Sequence, residues 1–478
     1  MTLPEYPEDK TCRVRIVNDK AVNRDGEYIL HWMTTARRCR FNHALDRSVA
    51  WAKFLNKPLL ICEALGLGHR WASARFHSFI SAGMLDNHSF SSVAGVEYYP
   101  YVEREPGAGK GLIKALSRNA CVVVTDDWPC FITPKIVEAA GRQSEVHMEA
   151  VDGAGLLPVS KVPKVFSRAF HFRNWHQKNL HEHLEHFSSA DPLKGLSGGI
   201  AVDSEILSTW NPVSIDELSE PAKWISELPI DQEVAEVRIH PGGSVEASRR
   251  LASFVENILD RYGEDRNHPD RVATSTLSPY LHFGHISSQE IYQEATEADA
   301  GENGDAFIDQ LITWRELGLN YCHYHEEVDS WSSLPEWARK TMEEHAGDLR
   351  PVTYSLEQLE AAETHDEIWN AAQRQLKGEG LIHNYLRMLW GKKILEWSPH
   401  PKDALEVMVH LNNRWALDGR DPNSYSGITW CLGRYDRAWG PERPIFGKIR
   451  YMSSENTARK LRIKPYLQQW GEENLFSR

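Results

Sequence analysis

No two cysteines in this chain are spaced as CxxC, and the seven present, Cys12, Cys39, Cys62, Cys121, Cys130, Cys322 and Cys431, are scattered and odd in number. Neither a thiolate zinc site nor a disulfide framework is expected, and a reducing cytoplasm fits that usage. Long hydrophobic runs are also missing. Nothing approaches the roughly 18 apolar residues that span a bilayer, and the opening MTLPEYPEDKTCRVRIVNDK carries charge where a signal peptide has an apolar stretch. Export and membrane insertion are therefore not expected. Several ligand motifs fail on spacing. GAGKG at residues 107–111 lacks the P-loop spacing and the hydroxyl residue after Lys, and no GxGxxG follows a strand. HEHLEH at 181–186, downstream of His176, is HExxxH, so its outer histidines do not share a helical face as a zincin requires. LDGRDPN at 417–423 lacks the Gly and Glu positions of a calcium loop.

What remains is a chain of 478 residues, 41% hydrophobic and 25% charged, long enough for two or three packed domains. Its first part has an α/β rhythm. EYILHWM (27–33), KPLLICEAL (57–65) and ACVVVTDD (120–127) read as buried strands, and FNHALDRSVAWAKFL (41–55) and GKGLIKALSRN (109–119) as helices. Alternation of this kind predicts a doubly wound parallel sheet, Rossmann-like, over 26–155. Such sheets bind ligands at strand C-termini, where Asp126 and Asp127 fall; a purely structural layer is the alternative. Residues 156–245 read as a connection with short helices, Pro, Ser and Glu recurring. From 246 to 478 strand signals nearly vanish, which predicts an all-α domain.

Polar residues sit unusually within apolar helical segments there. TSTLSPYLHFG (274–284) places hydroxyls at Thr274, Ser275, Thr276 and Ser278 beside a helix start, with Ser278 as N-cap and Pro279 in the first turn. That chemistry suits a phosphate, although an ordinary capped helix would look the same. In GLIHNYLRMLWGKKILEW (380–397), Leu381, Asn384, Arg387 and Met388 share one helical face, and Trp390 and Trp397 another. Formal net charge is −13, yet from Cys431 onward ten Lys or Arg face five Asp or Glu, a local +5, with Trp430, Tyr435, Trp439 and Tyr451 among them. Basic residues with interleaved aromatics suit nucleic acid, and a solvated tail is the bland alternative.

TSTLSPYLHFG, WREL, THDEIWNA, HNYLRMLWGKKILEW, LNNRWALDGRDPN, DRAWG and GKIRYMS, in this order, resemble the class II cyclobutane pyrimidine dimer photolyases of the photolyase and cryptochrome family. The resemblance covers about Tyr262 to Leu467. It implies an N-terminal antenna domain, a helical domain holding FAD, and light-driven electron transfer to a flipped pyrimidine dimer in damaged DNA. Carried over by motif, Tyr262, Thr274, Ser275, Thr276, Leu277 and Ser278 hold the FAD phosphates and ribityl chain. Arg315, Asn384 and Arg387 line the cavity, Asn412 faces flavin N5, and Asp418 and Asp421 contact the rest of the cofactor. Trp390 and Trp369 form a photoreduction relay that Trp397 extends. Trp314 and Trp430 grip the dimer beside Met388, while Arg266, Asn267, Gln310, Arg437 and Trp439 support the strand. A second, antenna chromophore of deazaflavin or folate type and a monomeric state are further expectations. The chain departs from the pattern at Gln310, where the family often has Glu, and in the loop from Trp430 to Asp436, one residue shorter. Little chain follows KPYL, so repair is expected over a cryptochrome-like sensor.

Overall fold

The computed structural model describes Pro4 and residues 7–184, 187–196 and 198–471. Its strands are β1 (Val14–Ile16), β2 (Tyr28–Met33), β3 (Leu59–Leu65), β4 (Glu97–Val102), β5 (Ala120–Asp126) and β6 (Met148–Val151). They pair in the order β1-β6-β5-β2-β3-β4. All pairings are parallel except that of β1 with β6, where Val14 lies opposite Val151. The expected parallel sheet is thus a mixed one. The antiparallel edge comes from residues ahead of the predicted start, where a three-residue strand carries too little pattern to be read.

Side-chain alternation divides the strands between two cores. Ile29, Ile61, Val122 and Val124 pack with Leu45, Val49 and Trp51 of the helix His43–Leu55 on one face. Leu30, Leu60 and Val123 pack with Leu112, Leu116 and Val137 on the other. Burial on both faces explains why these strands read as unbroken apolar runs. The helix His43–Leu55 starts where the Asn42 side chain accepts from the Ala44 and Leu45 amides, and ends at Asn56 in a left-handed conformation, φ 52°. One charged cluster is sealed beneath it. Arg47 donates twice to Glu149, at 2.7 and 2.9 Å, and Trp51 Nε1 donates to the same carboxylate at 2.9 Å.

The strand order reverses around β2, which opens a crevice beyond the C-termini of β2 and β5. Asp126 ends β5 there, and it accepts from the Thr34, Thr35 and Ala36 amides and the Thr34 hydroxyl. At the end of β3, Glu63 holds Arg37, Asn87 and Tyr98. Both carboxylates shape their loops. Gly284, at φ +74°, closes against one of these loops: a Cβ there would meet the Thr35 carbonyl.

The chain divides into two compact units, one comprising Met1–Pro163, Asn179–Ala252 and Thr276–Glu294, the other Lys164–Lys178, Ser253–Ser275 and Ala295–Arg478. The first holds the sheet and the short helices Ser204–Thr209, Ile215–Ser219 and Pro221–Ile225. The second is helical among its described residues, built on Arg315–Tyr324, Glu367–Glu379, Asn384–Trp397, Pro401–Trp415 and Pro422–Cys431. Two local expectations change. Leu277 and not Ser278 occupies the N-cap, with no side-chain capping bond; left-handed Thr276, φ 54°, stands just ahead of it. Leu381 falls outside its helix, which starts at Asn384 after Gly380 has ended the preceding one in a left-handed conformation.

Candidate functional site

The turn Leu417–Asn423 brings the polar residues of the second unit together. Gly419 permits it, since a Cβ there would stand 2.7 Å from the Asn412 carbonyl. Left-handed Arg420, φ 64°, then folds back on Asn413, its amide on the side-chain oxygen at 3.0 Å and its guanidinium on the carbonyl at 2.5 Å. Burial lowers this guanidinium to about 10, yet it stays charged at neutral pH. Asp421 caps the next helix by accepting from the Asn423 amide at 2.8 Å. Asp418 faces Arg387, whose Nη2 donates to it at 2.9 Å. Arg387 Nε is buried without a hydrogen-bond partner among the described residues, an exception to the usual pairing of buried polar groups. Asn412 donates from its amide nitrogen to Ser424 Oγ at 2.5 Å and Asn413 Oδ1 at 3.3 Å. Both hydrogens are engaged, so Asn412 has its carbonyl oxygen left to offer.

The same unit buries three indoles that touch in a chain. Trp390 and Trp369 stack with planes 1° apart and centroids 6.4 Å apart, and Trp369 meets Trp397 edge-on at 5.4 Å. Hydrogen bonds fix their orientations: Trp369 Nε1 donates to the Trp390 carbonyl and Trp390 Nε1 to Gln373. The helical spacing had grouped Trp390 with Trp397. Tertiary packing inserts Trp369 as the ring that touches both.

Trp314 and Trp430, each half-buried, form a tilted pair with centroids 5.4 Å apart. Trp314 ends a π-helical turn, Gln310–Trp314, a distortion that often marks functional positions. The neighbours of the Gln310 amide dictate its orientation. Arg266 Nη1 and Trp314 Nε1 can only donate, so the Gln310 oxygen faces them, at 2.7 and 2.9 Å. A cavity of about 240 Å³ is lined by Asn267, Asn384, Met388, Lys392, Trp430 and Arg450 among others. Asn384, placed with the cofactor residues by motif, thus shares a cavity with the strand-side group. Trp439 Nε1 donates to Asp436 at 2.9 Å, and the guanidiniums of Arg437 and Arg450 lie 4.8 and 5.2 Å from the Trp439 ring centroid. Tyr262 is buried against Phe254 and Phe307, which raises its hydroxyl's pKa, and Arg266 lies over its ring. Arg315 is buried in its helix.

Thr274 and Ser275 belong to the second unit, Thr276, Leu277 and Ser278 to the first. Within the first unit Thr276 Oγ1 accepts from Arg250 at 3.1 Å. His176 is buried with its Nε2 2.6 Å from Glu316, and no group of three or more metal-ligating side chains occurs among the described residues. His186 of the HEHLEH segment lies outside the described residues. Sequence reasoning missed Lys392, fully buried with its ammonium on the Cys431 carbonyl at 2.5 Å. Burial lowers its pKa to about 8. A lysine beside a second lysine in GKKILEW reads as surface, and only the packing of Cys431 against Gly391 puts it inside.

No family profile matches the chain. Among curated proteins it is 34% identical to the deoxyribodipyrimidine photo-lyase of Methanothermobacter thermautotrophicus, over 95% of this chain and 97% of that one. It is 31% identical to the protein of the same name from Potorous tridactylus, over 95% and 83%. Among solved structures it is similar in fold to a class III photolyase from Agrobacterium tumefaciens, with TM-score 0.72, 16% identity, and coverage of 93% of this chain and 86% of that one. An archaeal photolyase from Sulfolobus tokodaii, solved with two FAD molecules, gives TM-score 0.67 and 16% identity, with coverage of 93% and 90%.

Proposed function

The chain belongs to the photolyase and cryptochrome family, and from that membership we propose the following assignment of its chemistry and residues. Its activity is light-dependent DNA repair, the splitting of cyclobutane pyrimidine dimers. The observation that carries the residue assignment is the contact chain Trp390–Trp369–Trp397 in the same unit as the Arg387–Asp418 pair. Indoles in van der Waals contact in a dry core can pass single electrons, and an Arg with an unused buried donor suits an electron-rich ring system.

Reduced FAD, when bound, supplies the photoexcited one-electron donor that opens the cyclobutane ring and takes the electron back. The chain does the rest. Arg387, held in place by Asp418, would help hold that cofactor through its buried Nε, and Asn412 would offer it a carbonyl oxygen able to accept an N–H. Asp421 and Arg315 border the same site, to which Tyr262, Thr274 and Ser275 of the second unit offer phosphate-binding groups; Thr276, Leu277 and Ser278 of the first unit are phosphate-binding candidates by motif. On the strand side Trp314 and Trp430 press on the dimer, beside Met388. Gln310, with its oxygen held by Arg266 and Trp314, turns its NH₂ to a base carbonyl edge where a carboxylate would supply charge. Asn267, Arg437 and Trp439 support the opened strand. Asn384, which lines the same cavity as Met388 and Trp430, reads the lesion as well as the flavin.

Within the family, the motifs from TSTLSPYLHFG to GKIRYMS favour class II. Residues 26–155 carry any antenna chromophore, of deazaflavin or folate type, 156–245 connect, and 246–478 hold FAD. The protein acts as a monomer in the cytoplasm on damaged DNA; no helix among the described residues is long and apolar enough to cross a membrane. Blue-light irradiation of the reduced protein with dimer-containing DNA tests the assignment. Restored thymines are expected. Their absence, with a long-lived flavin radical instead, would favour the light-sensor alternative.

A further inference from the structure

Beyond Trp397 the aromatic contacts continue to the surface. Tyr354 meets Trp397 edge-on, centroids 5.2 Å apart, and His365 meets the same ring at 5.5 Å. The two outer rings also lie near-parallel to each other, 24° between planes. Tyr354 Oη stands 2.6 Å from His365 Nδ1, and it accepts from the His365 backbone amide at 2.9 Å. With that amide on the oxygen, the phenolic hydrogen is the one directed at Nδ1. Trp397 is buried, Tyr354 half-buried and His365 exposed. A proton placed on His365 therefore has direct access to water, which a proton on the buried indole does not.

Resting on the relay reading above, we propose that Tyr354 and His365 form its proton-coupled outer end. The hole arrives as a Trp397 radical cation, the photoexcited oxidised flavin being the one-electron oxidant that feeds the chain of indoles. Trp397 takes one electron from Tyr354 and returns to its neutral closed-shell form. Concurrently the Tyr354 O–H bond breaks, its proton forms an N–H bond at His365 Nδ1, and a neutral tyrosyl radical remains. Charge and electrons balance: one indole is reduced, one phenol is oxidised, and the positive charge passes to a solvent-facing imidazolium. Loss of the proton makes return of the electron slow, so the pair rectifies the relay.

Flash photolysis of FAD-loaded protein, with electron paramagnetic resonance on the same samples, tests this. In the wild type an indole radical should decay into a tyrosyl radical, more slowly in D₂O. Tyr354→Phe keeps the ring and loses the hydroxyl: the tyrosyl signal should vanish and the indole radical persist. His365→Phe keeps a ring beside Trp397 without the acceptor, and should slow the decay and remove its D₂O sensitivity. Identical indole decays in wild type and Tyr354→Phe would overturn the proposal with the relay intact. Absence of any indole radical in the wild type would overturn the relay itself, and the proposal with it.

Discussion

Trp390 is the residue through which the relay reading can be tested most directly. It stacks on Trp369 and its indole nitrogen is fixed by Gln373. Trp390→Phe removes the more easily oxidised ring and keeps an apolar filler, so light-driven reduction of bound flavin should fall at least tenfold. Repair by chemically reduced protein should stay within a factor of two; loss of both in the same assay would mean that Trp390 serves packing alone. The LNNRW and LDGRDPN residues were singled out in sequence because apolar helices seldom spend core positions on amides and acids. Their pairing was not legible. That Arg387 meets Asp418 depends on two helix ends and a turn closed by Gly419, none of which a periodicity records.

At the scale of elements, the seam between the helix His43–Leu55 and β6 carries the acid sensitivity of the first unit. Burial alone would raise the carboxyl of Glu149, but hydrogen bonds from Arg47, His147 and Trp51 overcome this and pull it from 4.5 to about 2. A depressed carboxyl stabilises the fold above its unfolded value, and that contribution is lost as pH falls through about 4.5 to 2. The shift corresponds to about 3 kcal/mol. Buried histidines act earlier: desolvation holds His31 and His77 at about 4 and His285 at about 3. Below 6.5 the unfolded chain takes protons that the folded one refuses, so stability falls first between pH 6.5 and 4. Urea unfolding followed from pH 7 to 3 should show both steps. Glu149→Gln should cost about 3 kcal/mol at pH 7 and flatten only the lower step. The helix itself was visible in sequence over 41–55, because its amphipathic period is a local signal; its Asn42 cap and left-handed exit at Asn56 came with the structure. The antiparallel β1 edge was not, because a three-residue strand acquires its identity from its partner.

For the whole molecule, net charge of −13 opposes polynucleotide binding, and the local +5 from Cys431 onward must outweigh it. Affinity for dimer-containing DNA should therefore fall steeply with salt, in proportion to the phosphates neutralised. Titration of a labelled duplex from 50 to 200 mM salt, with Arg450→Gln alongside, should show about one unit less slope for the variant. A flat dependence would place the strand elsewhere. Arg450 stood in the GKIRYMS motif without an assigned role and gains one because it lines a cavity with Trp430 and Met388.

The sequence by itself determined the two kinds of architecture, the bounds to within a few residues of the α/β strands and helices it named, the family, and the polar residues that do not belong in a structural core. These are encoded in period, composition and short motifs, each confined to neighbouring residues. Motif resemblance already implied the order Trp390, Trp369, Trp397, and tertiary structure supplied its contacts; only tertiary structure decided the other pairings, Arg387 on Asp418, the Gln310 oxygen on Arg266 and Trp314, and the Tyr354–His365 pair at the surface end. Electron transfer and hydrogen bonding act over a few ångströms through space. Chain separation carries no record of that distance.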